Sequence, residues 1–509
     1  MNVHQPVGTA RPEVAGFLHS STEHASHMRL DQAVNGLRRM HPEWSASQTV
    51  TPAQRRTLTF ICIAGFVVWI AAPVAASRLA ITLLALAFAM VTLVRLLALW
   101  QFVRPKTVRD TNENDAVPDS ALPPYTLLVP LYGEAGVAAG LVSAMQALDY
   151  PNGQLEILFL TEADDHETRA ALASSGLVRY MQVITVPNGA PRTKPRALNY
   201  GLTFARGEFV GIYDAEDVPD PGQLRAAVSA FRRAGPETAC LQARLSIYNP
   251  GRNVLTRQFT LEYAALFDGI LPALEKLGLP LPLSGTSNHF RRCDLELAGA
   301  WDPFNVTEDA DLGVRLARLR KRVAMLDSVT WEEAPDTFAA WFSQRTRWLK
   351  GWMQTYLVHT RSPILLWHEL GPWKFLGFQL IVGGLILSAI AHPLFYAAVL
   401  TCALDWTFLN RPVDGLNAVL WWTCCFIAAA SYLCSIALVA LAVARRGGRL
   451  LVRSALGLPV YWLAISLASY KALVEIITRP HYWAKTPHKG IGRESLAWPN
   501  QRVHAIKAS

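Results

Sequence analysis

The sequence predicts an α/β domain of about 220 residues, set between apolar helices long enough to span a membrane. Hydrophobic residues make up 51% of the 509-residue chain, which exceeds the usual share in soluble proteins. Apolar runs lie on both sides of a central region in which β-rich and helical segments alternate. Such alternation indicates a mostly parallel sheet that is covered by helices.

Residues 1–56 are expected to form a cytosolic amino-terminal tail. They are polar and mixed in charge, and they contain one amphipathic stretch, Leu30–Met40. The first apolar run begins too late in the chain for a secretory signal peptide. No function follows from this tail.

Residues 57–100 are predicted to form a transmembrane hairpin. Thr57–Ser77 and Leu79–Trp100 each reach the roughly 20 residues that cross a bilayer as a helix. Because only Ser77 and Arg78 separate these runs, the turn between the two helices must be tight.

Further membrane helices are predicted over residues 372–478, after amphipathic interface helices at 346–371. The apolar segments are Phe375–Leu400, Leu416–Ala444 and Leu456–Ile477. His392 and Pro393 interrupt the first of them, and a proline inside a helix is expected to kink it.

Positive charge sets the expected orientation. Residues 445–509 contain 11 Lys and Arg against two Glu, a balance of +9 that equals the net charge of the whole chain. Positive charge beside membrane helices indicates a cytosolic location and not nucleic-acid binding. The basic tail at 479–509 is therefore expected to be cytosolic. Basic residues also flank both ends of the hairpin: Arg55, Arg56, Arg104, Lys106 and Arg109. The domain at 101–345 is therefore expected to be cytosolic.

The number of crossings is left open by this reasoning. Two spans before the domain and three after it would place the basic carboxyl terminus outside. Either residues 375–409 form two short crossings, or one late segment only dips into the membrane.

The central domain has four predicted strands, with helices at Val137–Leu148 and Glu167–Ser174 between them. The strands are Tyr125–Pro130, Leu155–Leu160, Met181–Val186 and Glu208–Tyr213. In open α/β sheets, ligands bind beyond the carboxyl ends of the strands. Acidic clusters follow the second and fourth strands, so this edge is the predicted site.

Asp214, Glu216 and Asp217 follow the fourth strand directly. Alternate carboxylates at a strand end can hold Mg²⁺ or Mn²⁺, which bind carboxylates together with substrate phosphates. The alternative is a solvated acidic turn without a ligand.

Thr307, Glu308 and Asp309 are typical of a helix start. Thr307 suits the N-cap, and acids are favoured in the first turn by the helix dipole. A carboxylate at a helix N-terminus beside a sheet edge is also well placed to act as a general base.

Gln344-Arg345-Thr346-Arg347-Trp348 begins an aromatic-rich amphipathic stretch. The stretch is typical of an interfacial anchor, although arginine also binds diphosphates and tryptophan stacks on sugar rings. Lys194 is either a phosphate ligand or an exposed loop residue. His289, in the small polar segment with Asn288, is expected to be structural.

These motifs, in this order, resemble the family 2 processive glycosyltransferases, which include cellulose, chitin, hyaluronan and bacterial β-glucan synthases. The resemblance extends over about Pro123–Tyr356. It implies a GT-A (Rossmann-like) fold, a UDP-sugar donor and an inverting transfer to a growing glycan acceptor.

The resemblance also implies a role for each motif. Asp309 would be the catalytic base, and Asp214 with Glu216 or Asp217 would hold Mg²⁺ or Mn²⁺. Two further sets would bind the substrates. The nucleotide-sugar would contact Tyr132, Glu134, Glu162, Asp164, Lys194, Asp214, Gln344, Arg345 and Arg347. The acceptor would contact Trp348, Thr307, Glu308 and Asn288.

Two segments depart from the family pattern or extend it. The metal motif reads Asp-Ala-Glu-Asp, so Glu216 and Asp217 compete as the second ligand. The string around Trp483, Lys485 and Thr486 resembles a gating segment that closes over bound nucleotide, although a plain basic tail is the alternative.

The resemblance predicts a processive synthase of the bacterial inner membrane that makes a β-glucan from UDP-glucose and exports it through its own helices. The alternatives are an N-acetylglucosamine polymer, transfer of one sugar to a lipid carrier, and a transporter or scaffold with a degenerate transferase domain. Neither the donor sugar, the linkage nor any partner subunit follows from the sequence.

Overall fold

The protein was analysed as a computed structural model that describes residues 12–103, 117–404, 415–485 and 489–490. The predicted gating residue Thr486 and the basic residues Arg104, Lys106 and Arg109 lie outside the described residues.

Eight strands and sixteen helices are assigned within this part of the chain. The strands are β1 Tyr125–Leu131, β2 Leu155–Glu162, β3 Met181–Val186, β4 Phe209–Ile212, β5 Val218–Pro219, β6 Thr238–Ile247, β7 Asn288–Arg291 and β8 Arg322–Glu332. The helices are α1 Pro12–Met40, α2 Pro52–Ala71, α3 Pro73–Val103, α4 Ala138–Gln146, α5 His166–Ser174, α6 Lys194–Leu202, α7 Gln223–Ala234, α8 Val254–Ala265, α9 Leu271–Lys276, α10 Arg292–Leu297, α11 Glu308–Arg318, α12 Phe338–His359, α13 Pro363–Phe378, α14 Gly384–Leu404, α15 Leu416–Arg445 and α16 Leu458–Thr478.

The strands form one sheet in the order β3-β2-β1-β4-β7-β6-β8-β5. The four predicted strands, β1 to β4, pair in parallel as expected. Beyond β4 the sheet is mixed, because β7 runs antiparallel to both β4 and β6. The long strands β6 and β8 then pair in parallel, so their carboxyl ends lie together.

Both faces of the sheet are covered. β1 and β2 are mostly apolar and almost entirely buried, because a strand covered on both faces has no solvent side that needs alternating polar residues. Helices α4 and α7 pack on one face and α6 and α11 on the other.

Five helical segments in this part of the chain are long and apolar enough to cross a membrane: 52–71, 73–102, 363–394, 416–445 and 449–478. Helices α3 and α15 run side by side in the same direction. Arg78 bonds Asn417 near one end of the pair (2.9 Å), and Arg445 bonds the carbonyl oxygen of Phe102 at the other. The protein is therefore a membrane protein whose α/β domain lies at one end of this helix pair.

The first late span differs in detail from the prediction. Helix α14 continues through Pro393 instead of breaking there. The irregularities lie earlier, at Gly371, whose φ is 72°, and in a π-helical turn over Gln379–Gly383. Two short crossings around Pro393 are thus not observed.

Helix α16 contacts the α/β domain near both of its ends. Just before the helix, Ser454 accepts a hydrogen bond from Gln258, and Tyr461 in its first turn donates one to Glu262. Near the other end, Glu475 forms an ion pair with Lys350 of α12 (3.1 Å). Helix α16 also bonds α14, where Tyr470 donates to the carbonyl oxygen of Ile390 (2.8 Å). The number of crossings therefore stays a prediction.

Candidate active site

The predicted site residues surround one cavity of about 950 Å³. It starts at the carboxyl edge of the sheet and continues between α3, α14, α15 and α16. The predicted residues on its wall are Tyr132, Glu134, Glu162, Lys194, Asp214, Glu216, Thr307, Glu308, Asp309, Gln344, Arg345, Arg347, Trp348, Trp483 and Lys485. Asp164, Asp217 and Asn288 are not part of the wall.

Asp309, Lys194 and Asp214 meet at Gly285. A Cβ placed on this glycine would lie 3.4 Å from Asp309 Oδ2, 3.6 Å from Lys194 Nζ and 3.9 Å from Asp214 Oδ2. Lys194 forms an ion pair with Asp214 and donates to the carbonyl oxygen of Gly285 (2.7 Å). Because Gly285 has no side chain, this junction stays open.

Two members of the acidic motif face in different directions. Glu216 lies on the cavity wall, whereas Asp217 is fully buried behind it. The Asp217 carboxylate accepts hydrogen bonds from the backbone N–H of Asp214 (2.7 Å) and from the hydroxyl of Thr286. Asp217 therefore shapes the turn that presents Asp214.

Glu332 joins this acidic group, although it was not among the predicted site residues. It ends β8, about 115 residues after Asp217 in the chain, and it lies on the cavity wall. Burial raises the pKa of Glu332 well above its usual value, and the carboxylates of Asp217, Glu216 and Asp214 raise it further. No local sequence pattern marks such a residue, because only the pairing of β8 brings it here.

Carboxylates at Asp214 and Glu216 are the ligand type that a hard divalent cation prefers, so the wall fits Mg²⁺ or Mn²⁺. No cluster of three His, Cys, Asp or Glu suited to holding a metal occurs within the described ranges. Mg²⁺ commonly takes further oxygen ligands from the phosphates of a bound substrate.

Glu308 and Asp309 begin α11 and are both shifted towards the protonated form. Burial and the neighbouring Asp309 raise the pKa of Glu308 to about 8. Burial also raises the pKa of Asp309, against the opposing effects of Lys194 and Arg347. Thr307 is at the N-cap position, but its side chain makes no capping hydrogen bond.

The carboxyl-terminal segment contacts the end of the cavity that contains Tyr132 and Glu134. Lys485 forms an ion pair with Glu134 (3.1 Å) and donates to the carbonyl oxygen of Gly133 (2.9 Å). Its ammonium also lies 5.9 Å from the ring centroid of Tyr132. Trp483 stacks on the Arg347 guanidinium at 4.5 Å. The predicted gating residues thus contact the predicted nucleotide end.

The two acids after β2 have different environments. Glu162 is buried and ion-paired with the fully buried Arg196. Asp164 is half-exposed and pairs with Arg192 (2.7 Å), whose guanidinium also lies over the ring of Tyr132.

Helix α12 carries four of the predicted residues. Arg347 is partly buried on the cavity wall beside Glu308 and Asp309, and desolvation lowers its pKa. The carbonyl oxygen of the Gln344 side chain is buried and has no protein partner in the described part of the chain. Each therefore presents polar atoms that a ligand could use.

Arg345 is held differently from its neighbours. Its guanidinium pairs with both carboxylate oxygens of Glu262 and lies between the rings of Phe259 (4.9 Å) and Trp348 (4.7 Å). One face of the Trp348 ring is thereby covered by Arg345.

Asn288 and His289 occupy β7. Asn288 donates to the carbonyl oxygen of Ser284 (2.5 Å), which fixes the loop that contains Gly285. His289 is fully buried between Tyr125 and Gln223, and burial lowers its pKa to about 3. Its predicted structural role is confirmed by these contacts.

The amino-terminal tail is also part of the site's support, which the sequence did not reveal. Asp302 accepts hydrogen bonds from Ser45 (3.3 Å) and from the backbone N–H of Ala46 (2.5 Å). Asn199 donates to the carbonyl oxygens of both Ala33 and Trp301. These bonds join the tail to α6, which begins at Lys194, and to the loop that leads into Asp309.

Residues 123–351 match the family model described as "Glycosyltransferase like family 2". This part of the chain is therefore similar to family 2 glycosyltransferases, and the predicted GT-A-like fold between candidate membrane helices is confirmed. The matched region covers the sheet, the acidic motifs and the first two-thirds of α12.

Two curated relatives show how far the likeness extends. A beta-monoglucosyldiacylglycerol synthase of Synechocystis is 31% identical over 48% of this chain and 51% of its own length. A probable glycosyltransferase YdaM of Bacillus subtilis is 27% identical over 45% and 55%. The chain spans about half the length of these relatives.

Among solved structures, mannosyltransferase PcManGT of Pyrobaculum calidifontis, in complex with GDP-Man and Mn²⁺, has a TM-score of 0.50. It is 19% identical and aligns over 79% of this chain and 97% of its own. At this identity the likeness supports the fold alone.

Proposed function

We propose that this protein transfers one hexose from a nucleotide-sugar to a hydroxyl group of a membrane lipid. The observation that carries this proposal is the composition of the cavity between the membrane helices. Beyond Asp309 its wall is largely aliphatic, with residues such as Val91, Leu385 and Leu438. Apolar walls suit acyl chains, whereas a glycan would need hydrogen-bonding partners for its hydroxyl groups.

The likeness to the beta-monoglucosyldiacylglycerol synthases supports the same conclusion, since their printed names describe a glucosylated lipid product. UDP-glucose is accordingly the favoured donor. In this assignment Tyr132 and Glu134 border the base of the nucleotide, and Gln344 and Arg347 bind its diphosphate.

The proposed reaction is a single inverting displacement. The acceptor hydroxyl loses its proton to a carboxylate oxygen of Asp309, and the acceptor oxygen bonds to C1 of the sugar. The bond between C1 and the diphosphate oxygen breaks, and the nucleoside diphosphate leaves with the electron pair. Burial favours Asp309 as a base, because a raised pKa strengthens its hold on the proton.

Negative charge grows on the departing diphosphate during this step. We assign its stabilisation to Arg347 and Lys194, which line the same part of the cavity. A divalent cation held by Asp214 and Glu216 would supply further electrostatic stabilisation when bound. We assign Asp217 to positioning Asp214, and not to binding the metal ion.

Polymer synthesis is retained as the second candidate, because the Gln-x-x-Arg-Trp motif resembles that of processive synthases. Arg345 covers one face of the Trp348 ring, which leaves only the other face for a sugar. Product length distinguishes the two functions.

The experiment is a donor and acceptor panel with purified protein in detergent–lipid micelles containing Mg²⁺ or Mn²⁺. UDP-glucose, UDP-galactose, UDP-N-acetylglucosamine and GDP-mannose would each be supplied with diacylglycerol or phospholipid, and nucleotide release and lipid mass would be measured. We expect one donor to add one hexose to a lipid.

A long product that linkage-specific glycanases digest would overturn the lipid assignment in favour of polymerisation. The Asp309→Asn variant serves as the inactive control. Absence of nucleotide release with every donor would instead favour a domain that has lost catalysis.

A further inference from the structure

A group of polar side chains interrupts the aliphatic wall of the cavity between the membrane helices. Arg95 of α3, Ser388 and His392 of α14, Ser435 of α15 and Trp462 of α16 all lie on this wall. We call these five residues the polar collar. Four separate helices contribute to it, so the collar is a feature of the packed molecule and not of one motif.

Arg95 is the charged member of the collar. One of its nitrogens donates to the hydroxyl of Ser431 (3.0 Å), and its guanidinium lies 5.8 Å from the Trp462 ring centroid. Within the described residues, no Asp or Glu side chain forms an ion pair with Arg95. A guanidinium has five N–H donors, so most of its hydrogen-bonding capacity is open to the cavity.

An unpaired cation between membrane helices is costly unless an anion accompanies it. Along α3, Arg95 is seven residues from Phe102, which marks the end beside the α/β domain. At a rise of 1.5 Å per residue, this places it about 10 Å from that end of the helix. It is therefore near the leaflet that faces the domain.

The neighbours of Arg95 add hydrogen-bonding groups but no negative charge. His392 uses Nδ1 to bond Ser388, which leaves Nε2 free of any such local bond, and its ring lies 5.5 Å from Trp462. The hydroxyl of Ser435 donates to the carbonyl oxygen of Ser431 and so holds the helical turn that contains Ser431, the residue bonded by Arg95. A ligand for this collar must bring its own anionic oxygens.

We propose that the polar collar binds an anionic phospholipid, with the headgroup phosphate on Arg95 and the acyl chains against the aliphatic wall. A neutral glycan would not compensate the charge of Arg95, whereas a phosphate diester would do so and match the guanidinium geometry. The proposal rests on the proposed function only in that both use the same cavity. The bound lipid is either the sugar acceptor or a resident lipid beside it.

The test measures lipid binding without catalysis. Purified protein in dodecyl maltoside would be titrated with dioleoylphosphatidylglycerol, and the melting temperature followed, since a ligand of the folded state raises it. Wild type and Arg78→Gln are expected to show the same saturable rise. Arg78 is the matched control because it lies on the same helix, bonds Asn417 and is not part of the cavity.

Arg95→Gln is expected to bind the lipid at least about tenfold more weakly, and Arg95→Lys to recover part of the loss. Equal shifts in wild type and Arg95→Gln would overturn the proposal, as would equal shifts with the phosphate-free lipid digalactosyldiacylglycerol. Melting without lipid and a monodisperse elution profile show that each variant is folded.

A second arm distinguishes the two roles of the bound lipid, sugar acceptor or resident lipid. With donor present, a mass increase of one hexose on the phosphatidylglycerol would identify it as the acceptor. Sugar found only on added diacylglycerol, with the same phosphatidylglycerol binding, would identify a resident lipid. The Asp309→Asn variant is expected to bind the lipid without turnover, so failure of the enzymatic proposal leaves the binding result interpretable.

Discussion

Asp309 carries the chemistry in the proposed reaction, and its environment explains why. It is partly buried beside Lys194 and Arg347, two cations that also face the predicted diphosphate. Its role as a base is separable from donor binding, because the nucleotide is assigned to other residues. Loss of the Asp309 carboxylate should therefore affect turnover more than nucleotide binding.

Asp309→Asn is expected to lower kcat by about 10²- to 10⁴-fold, the usual contribution of a positioned base. Nucleotide affinity, measured by isothermal titration with UDP, is expected to change little. Asp327→Asn is the control, because Asp327 is an exposed partner of Arg244. Near-normal turnover in Asp309→Asn would remove the base assignment.

Glu308 gives a prediction about stability and pH. Burial and the adjacent Asp309 raise its pKa in the folded protein to about 8, from a reference value of 4.5. The folded protein therefore binds this proton more tightly than the unfolded chain does. It follows that the free energy of unfolding decreases as the pH rises from about 4.5 to about 8.

Glu308→Gln removes this titration. We expect the variant to melt at a higher temperature than the wild type at pH 8 and at a similar temperature at pH 5, as measured in detergent. Glu296→Gln, at a half-exposed helix position, controls for the general effect of lost charge. If the melting temperatures of Glu308→Gln and the wild type differed by the same amount at pH 5 and pH 8, the raised pKa of Glu308 would not explain the difference.

At the scale of elements, the loop before α11 is where several parts of the chain meet. Asp302 binds the amino-terminal tail, Thr193 donates to the carbonyl oxygen of Pro303, and His481 contacts that of Phe304. Asn305 then bonds Thr355 of α12 and the backbone N–H of Thr307. The tail is therefore bonded to the loop that places Asp309.

Asp302→Ala is expected to lower kcat by about tenfold and to leave the KM for the donor nearly unchanged, because the loop positions the base and not the nucleotide. Steady-state kinetics over the donor concentration check this. Asp31→Asn is the control within the same tail, since the partners of Asp31 among the described residues are exposed Arg39 and Asn35. Active sites are titrated with nucleotide, so that kcat is compared at equal concentrations of active protein. A general loss of folding would lower the active fraction and leave this kcat unchanged.

At the scale of the whole molecule, the position of α16 decides the topology. If α2, α3, α14 and α15 cross and α16 lies along the α/β domain, then both chain termini are on the side of that domain. This even number of crossings agrees with the basic carboxyl-terminal tail.

Fluorescent-protein fusions test this arrangement in bacterial cells, since the usual reporters fluoresce only in the cytoplasm. We expect fluorescence from fusions at either terminus and none from an insertion after Gly415, which precedes α15. A dark carboxyl-terminal fusion with a stable, inserted protein would mean that α16 crosses the membrane.

The sequence by itself determined the parts that depend on local pattern. Short β-rich runs predicted β1 to β4, and apolar length marked the candidate spans. The motif carboxylates followed from their position after strands and at a helix start. The sequence of the acidic motif could not decide whether Glu216 or Asp217 faces the cavity. The direction of each side chain depends on the fold of the turn.

Only the tertiary structure decided which distant segments meet. Glu332 reaches the acidic group through the pairing of β8 with β6, and the amino-terminal tail reaches the catalytic loop through Asp302 and Asn199. Helix α16 has the length and composition of a membrane span, yet it packs along α12 because buried ion pairs such as Lys350–Glu475 hold it there. Apolar composition specifies burial and not the burying surface, since the hydrophobic effect is non-directional, and the surface is chosen by specific contacts between residues far apart in the chain.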